Sequence, residues 1–173
     1  CSPNHAHREQ LLAAMAAGKH IYCDKPLTAT WGEAREVGGA LGGYGGVSQM
    51  TLNNRFVLPA MRAKQLLSEG FVGRVTQFRA AYLHSGSVDA GKAMGWKQEA
   101  RFGGGVLNDL GSHALDLADW LAGPFEEVLA ETRILYPMRP TGRGGEARVE
   151  AEDAATLLVR GKDGVTGVIE ATK

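Results

Sequence analysis

The 173 residues suit one compact domain or two small pieces. Nineteen Lys plus Arg balance nineteen Asp plus Glu, and a formal net charge of +0 excludes a general nucleic-acid or polybasic membrane binder, because both need clustered positive charge. With 44% hydrophobic and 22% charged residues the composition is globular, and no apolar run approaches the roughly 18 residues that a membrane span needs.

In chain order, Ser2-Pro3-Asn4-His5 punctuates the start of a helix over 6–17, with Leu11, Leu12 and Met15 at helical spacing and Gly18 as its stop. His20-Ile21-Tyr22-Cys23 reads as a short buried strand that Asp24-Lys25-Pro26 breaks. Thr30 and Glu33 form a capping-box pattern that opens a second helix from Trp31 to about Leu41. Helix, short apolar strand, helix is the rhythm of a doubly wound α/β sheet. After the glycine-rich 42–46, a strand is expected over 47–52, a helix over 59–69 and a strand over 75–83. Residues 85–101 read as a long loop, and loops of that length are usually functional or disordered.

Gly103-Gly104-Gly105 leads into a helix over about 106–121, followed by a strand over 128–136. The Pro/Gly/Arg-rich 137–148 reads as a mobile loop. Strands at 154–160 and 165–172 flank Asp163-Gly164, a strong hairpin signal. The pattern is α/β followed by α+β, and adjacent strands in the second half are expected to be antiparallel. The two cysteines, Cys1 and Cys23, leave no disulfide framework and suit a reducing cytosol. The chain opens at Cys1 without a secretory pattern and closes at Lys173 within an extended segment, so an internal piece of a longer polypeptide is expected.

Four features could carry chemistry. Asp109 and His113 stand i, i+4 on one helix, a spacing that fits a carboxylate orienting an imidazole for general acid/base work and equally fits a solvated helix face. No metal is expected, because no second His joins them in a ligand pattern. Lys25 ends a short apolar strand, where ligands of open α/β sheets sit, and could donate to a substrate hydroxyl; an ordinary surface lysine has the same pattern. The triple glycine could open an anion-binding helix N-terminus or serve as a plain hinge. Trp96-Lys97 could cover a flat cofactor ring or hold a phosphate, or simply anchor the loop.

Taken jointly and in order, Ser2-Pro3-Asn4 with His7, Gly18-Lys19-His20 with Asp24-Lys25-Pro26, Asn54-Arg55-Phe56 and the stretch from Gly103 to Asp116 resemble the Gfo/Idh/MocA family of NAD(P)-dependent sugar and polyol oxidoreductases. The resemblance covers nearly all of the chain. It implies the end of a Rossmann dinucleotide-binding domain over 1–46, then a substrate-binding domain over 47–173, incomplete at its C-terminus, with an open, mainly antiparallel sheet. It implies Lys25, Asp109 and His113 as catalytic residues and Pro3, Asn4, His7, Asp24, Lys25, Trp96 and Lys97 as cofactor-binding residues. The implied cofactor is NAD or NADP, the partner a small sugar or polyol, the location cytoplasmic, and self-association would use the C-terminal sheet. A non-catalytic sensor or repressor relative and an NAD-dependent glycosidase are the other functions the resemblance allows. Asp24 stands where the family has glutamate, one methylene shorter. The G-x-G-x-x-G fingerprint of the first Rossmann βαβ unit does not occur in the chain.

Overall fold

The computed structural model describes residues 2–173; Cys1 lies outside the described residues. Helix α1 (Asn4–Ala16) starts after Pro3 and buries Asn4, His7 and Leu11, three positions that share one face at helical spacing. Strand β1 (Ile21–Cys23) pairs in parallel with β2 (Ser48–Met50), in the register Ile21↔Ser48 to Cys23↔Met50. Between them lies α2 (Trp31–Ala40), and its start shows the expected capping box. The Thr30 hydroxyl accepts from the Glu33 amide at 3.3 Å, while Glu33 Oε2 accepts from the Thr30 and Ala29 amides at 3.2 and 3.0 Å. Leu11, Cys23 and Val37 from these elements form a small core of their own.

Helix α3 (Leu58–Ser68) carries Pro59 in its first turn, where the missing N–H costs nothing. The larger core lies under a four-stranded sheet of order β3-β8-β7-β4, built from β3 (Gln77–Leu83), β4 (Phe125–Arg133), β7 (Ala154–Gly161) and β8 (Thr166–Thr172). Ala155, Leu157 and Val159 alternate onto the inner face of β7 and Ile169 and Ala171 onto that of β8. There they meet Val106 and, from helix α4 (Ser112–Ala122), Ala114 and Ala118. Burial of a residue such as Ile169 stabilises the fold by about 1.5–3 kcal/mol.

Strands β7 and β8 form the hairpin that Asp163-Gly164 signals, and β4 is antiparallel to β7. The edge strand β3 runs parallel to β8 over Gln77↔Thr166 to Leu83↔Thr172, so the sheet is mainly antiparallel, as expected, with one parallel edge pairing. The expected mobile loop at 137–148 is also corrected: β5 (Met138–Pro140) pairs with β6 (Glu146–Arg148). Arg139 in that hairpin is fully buried, and its guanidinium donates to the carbonyls of Ser87, Asp89 and Lys92. Those bonds tie the hairpin to the 85–92 segment. Among the described residues no helix is long and apolar enough to cross a membrane.

Candidate active site

Strand β1 is short and apolar, so the polar residues that follow it emerge at its carboxyl end, the face where open α/β sheets bind ligands. Asp24 turns its carboxylate back on its surroundings, Oδ1 accepting from the Lys25 amide and from Thr51 Oγ1, each at 2.8 Å. The Thr51 hydrogen bond holds the Asp24 carboxyl below its ordinary pKa. The next residue, Lys25, precedes a cis bond to Pro26. Its ammonium crosses to the second half of the chain, donating to Asp109 Oδ1 at 3.1 Å and to the Asp109 carbonyl.

Asp109 sits in a one-turn π-helical segment, Leu107–Gly111, that runs into α4. Such wide turns are frequent at functional sites. The amides of the glycines before it are spent within the protein and form no anion cradle. The Gly104 and Gly105 amides donate to the carbonyls of Glu99 and Lys97, and those of Val106 and Leu107 donate to Glu152. The helix entrance is therefore already capped from within the fold. Gly103 has φ +70, and a Cβ there would lie 2.7 Å from Ala29 Cα; a Cβ on Gly104 would lie 2.5 Å from the Lys97 carbonyl oxygen. Glycine is needed at both places for close packing of the loop that carries Lys97.

That packing brings Lys97 Nζ to 2.7 Å from Asp109 Oδ2 and over the Trp96 ring. Lys173, just beyond β8, places its own Nζ 2.9 Å from the same oxygen. One carboxylate thus lies among three ammonium groups. Burial alone would raise the Asp109 pKa, but hydrogen bonds from Lys97 and Lys173 and the charges of Lys173 and Lys25 overcome it and hold the group ionised far below the usual carboxylate range. Burial pushes Lys173 the other way, lowering its pKa against the opposing pull of Asp109.

His113 is buried one helical turn beyond Asp109, with its ring tilted against Tyr82. The expected orienting hydrogen bond from the imidazole to Asp109 is absent among the described residues, and the carboxylate oxygens are engaged by lysines instead. His113 Nδ1 is buried and unpartnered. Desolvation and then the nearby Lys25 charge lower its pKa, outweighing Asp116, Asp109 and Asp24, which favours the neutral imidazole. With Nδ1 enclosed, Nε2 is the ring nitrogen left to accept a proton from a hydroxyl while a nearby ammonium stabilises the oxygen left behind.

The remaining expected residues divide. Trp96 and Lys97 line a cleft of about 440 Å³ together with Asp109 and Lys173. Asn4 instead donates to the Gly103 carbonyl at 2.9 Å. His7 holds Pro26 O at 2.8 Å from Nδ1 and Ser2 O at 3.0 Å from Nε2. These two side chains build the strand-end loop, with their polar atoms spent inside the protein, and Pro3 is the N-cap of α1. Two features escaped the sequence reading. Lys173 could have been found by the signal that marks Lys25, a lysine just past an apolar strand. The other is the ion pair of Arg55 with Asp116, in which Nε lies 3.0 and 2.8 Å from the two carboxylate oxygens and the Arg55 guanidinium stands over the Trp120 ring. It anchors the segment before α3 to α4.

Comparison with known proteins identifies the family and the fold. Residues 60–173 match the GFO/IDH/MocA C-terminal domain, and residues 1–51 match an oxidoreductase family with an NAD-binding Rossmann fold. Levoglucosan dehydrogenase of Pseudarthrobacter phenanthrenivorans is 34% identical over 99% of this chain and 48% of its own length. D-xylose dehydrogenase of Paenarthrobacter nicotinovorans is 31% identical over 94% and 44%, respectively. Among solved structures, levoglucosan dehydrogenase in complex with NADH and L-sorbose superposes with a TM-score of 0.95 at 34% identity, covering 99% of this chain and 47% of that one. An NAD binding oxidoreductase from Klebsiella pneumoniae gives a TM-score of 0.94 at 35% identity, with 99% and 46% covered. The chain spans about half the length of these relatives. It belongs to the Gfo/Idh/MocA oxidoreductase family, with a Rossmann-type segment followed by that family's C-terminal domain.

Proposed function

We propose that this member of the Gfo/Idh/MocA family contributes the proton-transfer half of an NAD-dependent dehydrogenase site that oxidises a hydroxyl-bearing carbon of a sugar or polyol. The observation that carries the reading is the meeting of Lys25, from the end of β1, with Asp109, one helical turn before the buried and unpartnered His113. The related sugar dehydrogenases, one of them solved with NADH and L-sorbose, support the same chemistry, and NAD over NADP. We place residues 1–46 on the cofactor side and 47–173 on the substrate side.

The residues fit such a cofactor. The strand-end loop built by Pro3, Asn4 and His7, with Asp24 and Lys25, would face its nicotinamide end, and Trp96 and Lys97 would close the cleft. When bound, the nicotinamide supplies the hydride exchange. In the oxidative direction His113 takes the hydroxyl proton. Lys25 donates to the same oxygen and stabilises the developing alkoxide charge. Asp109 acts on the lysines rather than on the imidazole: it fixes Lys25 and Lys97 at their stations.

Nicotinamide absorbance, followed with a panel of sugars and polyols and added NAD or NADP, tests the proposal. Net reduction supports it; cleavage of glycosides without net reduction would favour the glycosidase reading. Retention of Lys25, Asp109 and His113 together speaks against a non-catalytic sensor. We further propose a cytoplasmic location, from the cysteine usage, and self-association through the outer sheet face, where Leu129 and Leu158 are cross-strand neighbours and both exposed. A monomer by sedimentation would remove the second of these.

A further inference from the structure

The cleft beside the proton-transfer groups holds more positive charge than its carboxylates neutralise. Lys92, Lys97 and Lys173 line it against a single lining carboxylate, Asp109, which also serves Lys25 from the other side. The next carboxylate toward Lys173 is Asp153, whose Oδ2 is already taken by the Leu135 amide at 3.0 Å. Lys92 donates to the Gly86 carbonyl at 2.8 Å, and among the described residues no carboxylate pairs with it. With Lys25 and the carboxylate of Asp24 beside it included, four lysines face three carboxylates.

The wall also holds hydrogen-bonding capacity that the protein does not use up. Lys173 Nζ is buried and meets a single carboxylate oxygen, Asp109 Oδ2, at 2.9 Å, and Ser87 Oγ, on a residue 1% exposed, has no partner. Both line the cleft: the ammonium has donors to spare beyond Asp109, and the unpartnered hydroxyl can donate to an oxygen as well. Ser87 and Lys92 are moreover held in place through their carbonyls by the fully buried Arg139. A rigid wall of donors and positive charge asks for oxygen acceptors that carry negative charge. A neutral sugar supplies the acceptors but leaves the charge unanswered.

We infer that the substrate is an anionic sugar, with a carboxylate or phosphate seated among Lys92, Lys97 and Lys173 while the reacting hydroxyl lies at Lys25 and His113. This rests on the dehydrogenase reading for the role of Lys25 and His113, but its charge selectivity is measured without turnover. Isothermal titration with D-glucuronate, D-glucose 6-phosphate and D-glucose at low and physiological ionic strength is the test. At least one anionic sugar binds about tenfold more tightly than glucose, and the advantage shrinks as salt screens the lysines. Lys92→Gln weakens the anionic sugar by about threefold and narrows that ratio. Preference for glucuronate or for the phosphate identifies which anion the wall accepts. Equal affinity for all three sugars, failure of both anionic ones to bind, or an advantage that Lys92→Gln leaves intact overturns the inference. Tight anionic binding with no NAD reduction would retain it and remove the dehydrogenase reading. Reduction with neutral sugars alone would do the reverse.

Discussion

Replacing Asp109 by Asn tests the electrostatic centre of the fold. The side chain is 19% exposed and meets Lys25, 19% exposed, Lys173, 12% exposed, and Lys97, 43% exposed. A hydrogen bond to a charged group contributes about 1.5–3 kcal/mol, whereas the half-exposed Lys97 pair is worth no more than about 1 kcal/mol. Asn keeps one acceptor oxygen and so restores part of this, but it leaves the buried Lys173 ammonium without its counter-charge. The net loss is about 3 kcal/mol, in the lower range for removing one partner of a buried pair. For a chain of this size that lowers Tm by about 6–12 °C. The pH dependence gives a second reading. Because the folded pKa of Asp109 is depressed, its contribution is fully present above the ordinary carboxylate pKa and is lost only as pH falls through the folded value, well below it. Thermal melts followed by circular dichroism should show a constant wild-type advantage from neutral pH to about pH 5 that shrinks only in stronger acid. A variant within about 0.5 kcal/mol of wild type at neutral pH would refute the charge argument.

Three other outcomes follow from the same structure. Gly104→Ala forces a Cβ against the Lys97 and Glu99 carbonyls, so it destabilises by about 1–3 kcal/mol in urea unfolding and displaces Lys97; wild-type stability would mean that the loop has slack. Arg139→Met removes three hydrogen bonds to carbonyls and frees the 85–92 segment, which faster amide hydrogen exchange over those residues would report. Unchanged protection there would show that the hairpin does not hold the wall. Thr30→Ala removes one arm of the capping box and costs about 1 kcal/mol, read as a lower urea midpoint with an unchanged slope.

What could be read from the sequence was local. Thr30 and Glu33 lie three residues apart and Asp163-Gly164 within one turn, so their chemistry is complete in a short window. Lys25 and Asp109 were identified singly by position, on a strand end and on a helix, and the family pattern joined them; the structure pairs them across 84 residues. The parallel β3–β8 pairing was not legible, because direction and register are set by contacts between segments far apart, whose apolar alternation looks the same either way. The β5–β6 hairpin was hidden by its glycines and arginines, since the burial of Arg139 depends on carbonyls some fifty residues earlier. The i, i+4 spacing of Asp109 and His113 was visible and its expected hydrogen bond was not formed. Lysines arriving from three other segments compete for the same carboxylate, and spacing along one helix carries no information about them.

The division of labour between the amine and the imidazole is most directly tested by the kinetics of His113→Asn. Measured with saturating NAD and the best sugar substrate, kcat should fall by about 10²–10⁴-fold while cofactor affinity stays within about twofold, since the imidazole handles only the hydroxyl proton. The wild-type kcat should rise with pH through a pKa below the ordinary histidine value, and that step should vanish in the variant. Turnover by His113→Asn at the wild-type rate, with the pH step intact, would contradict the account.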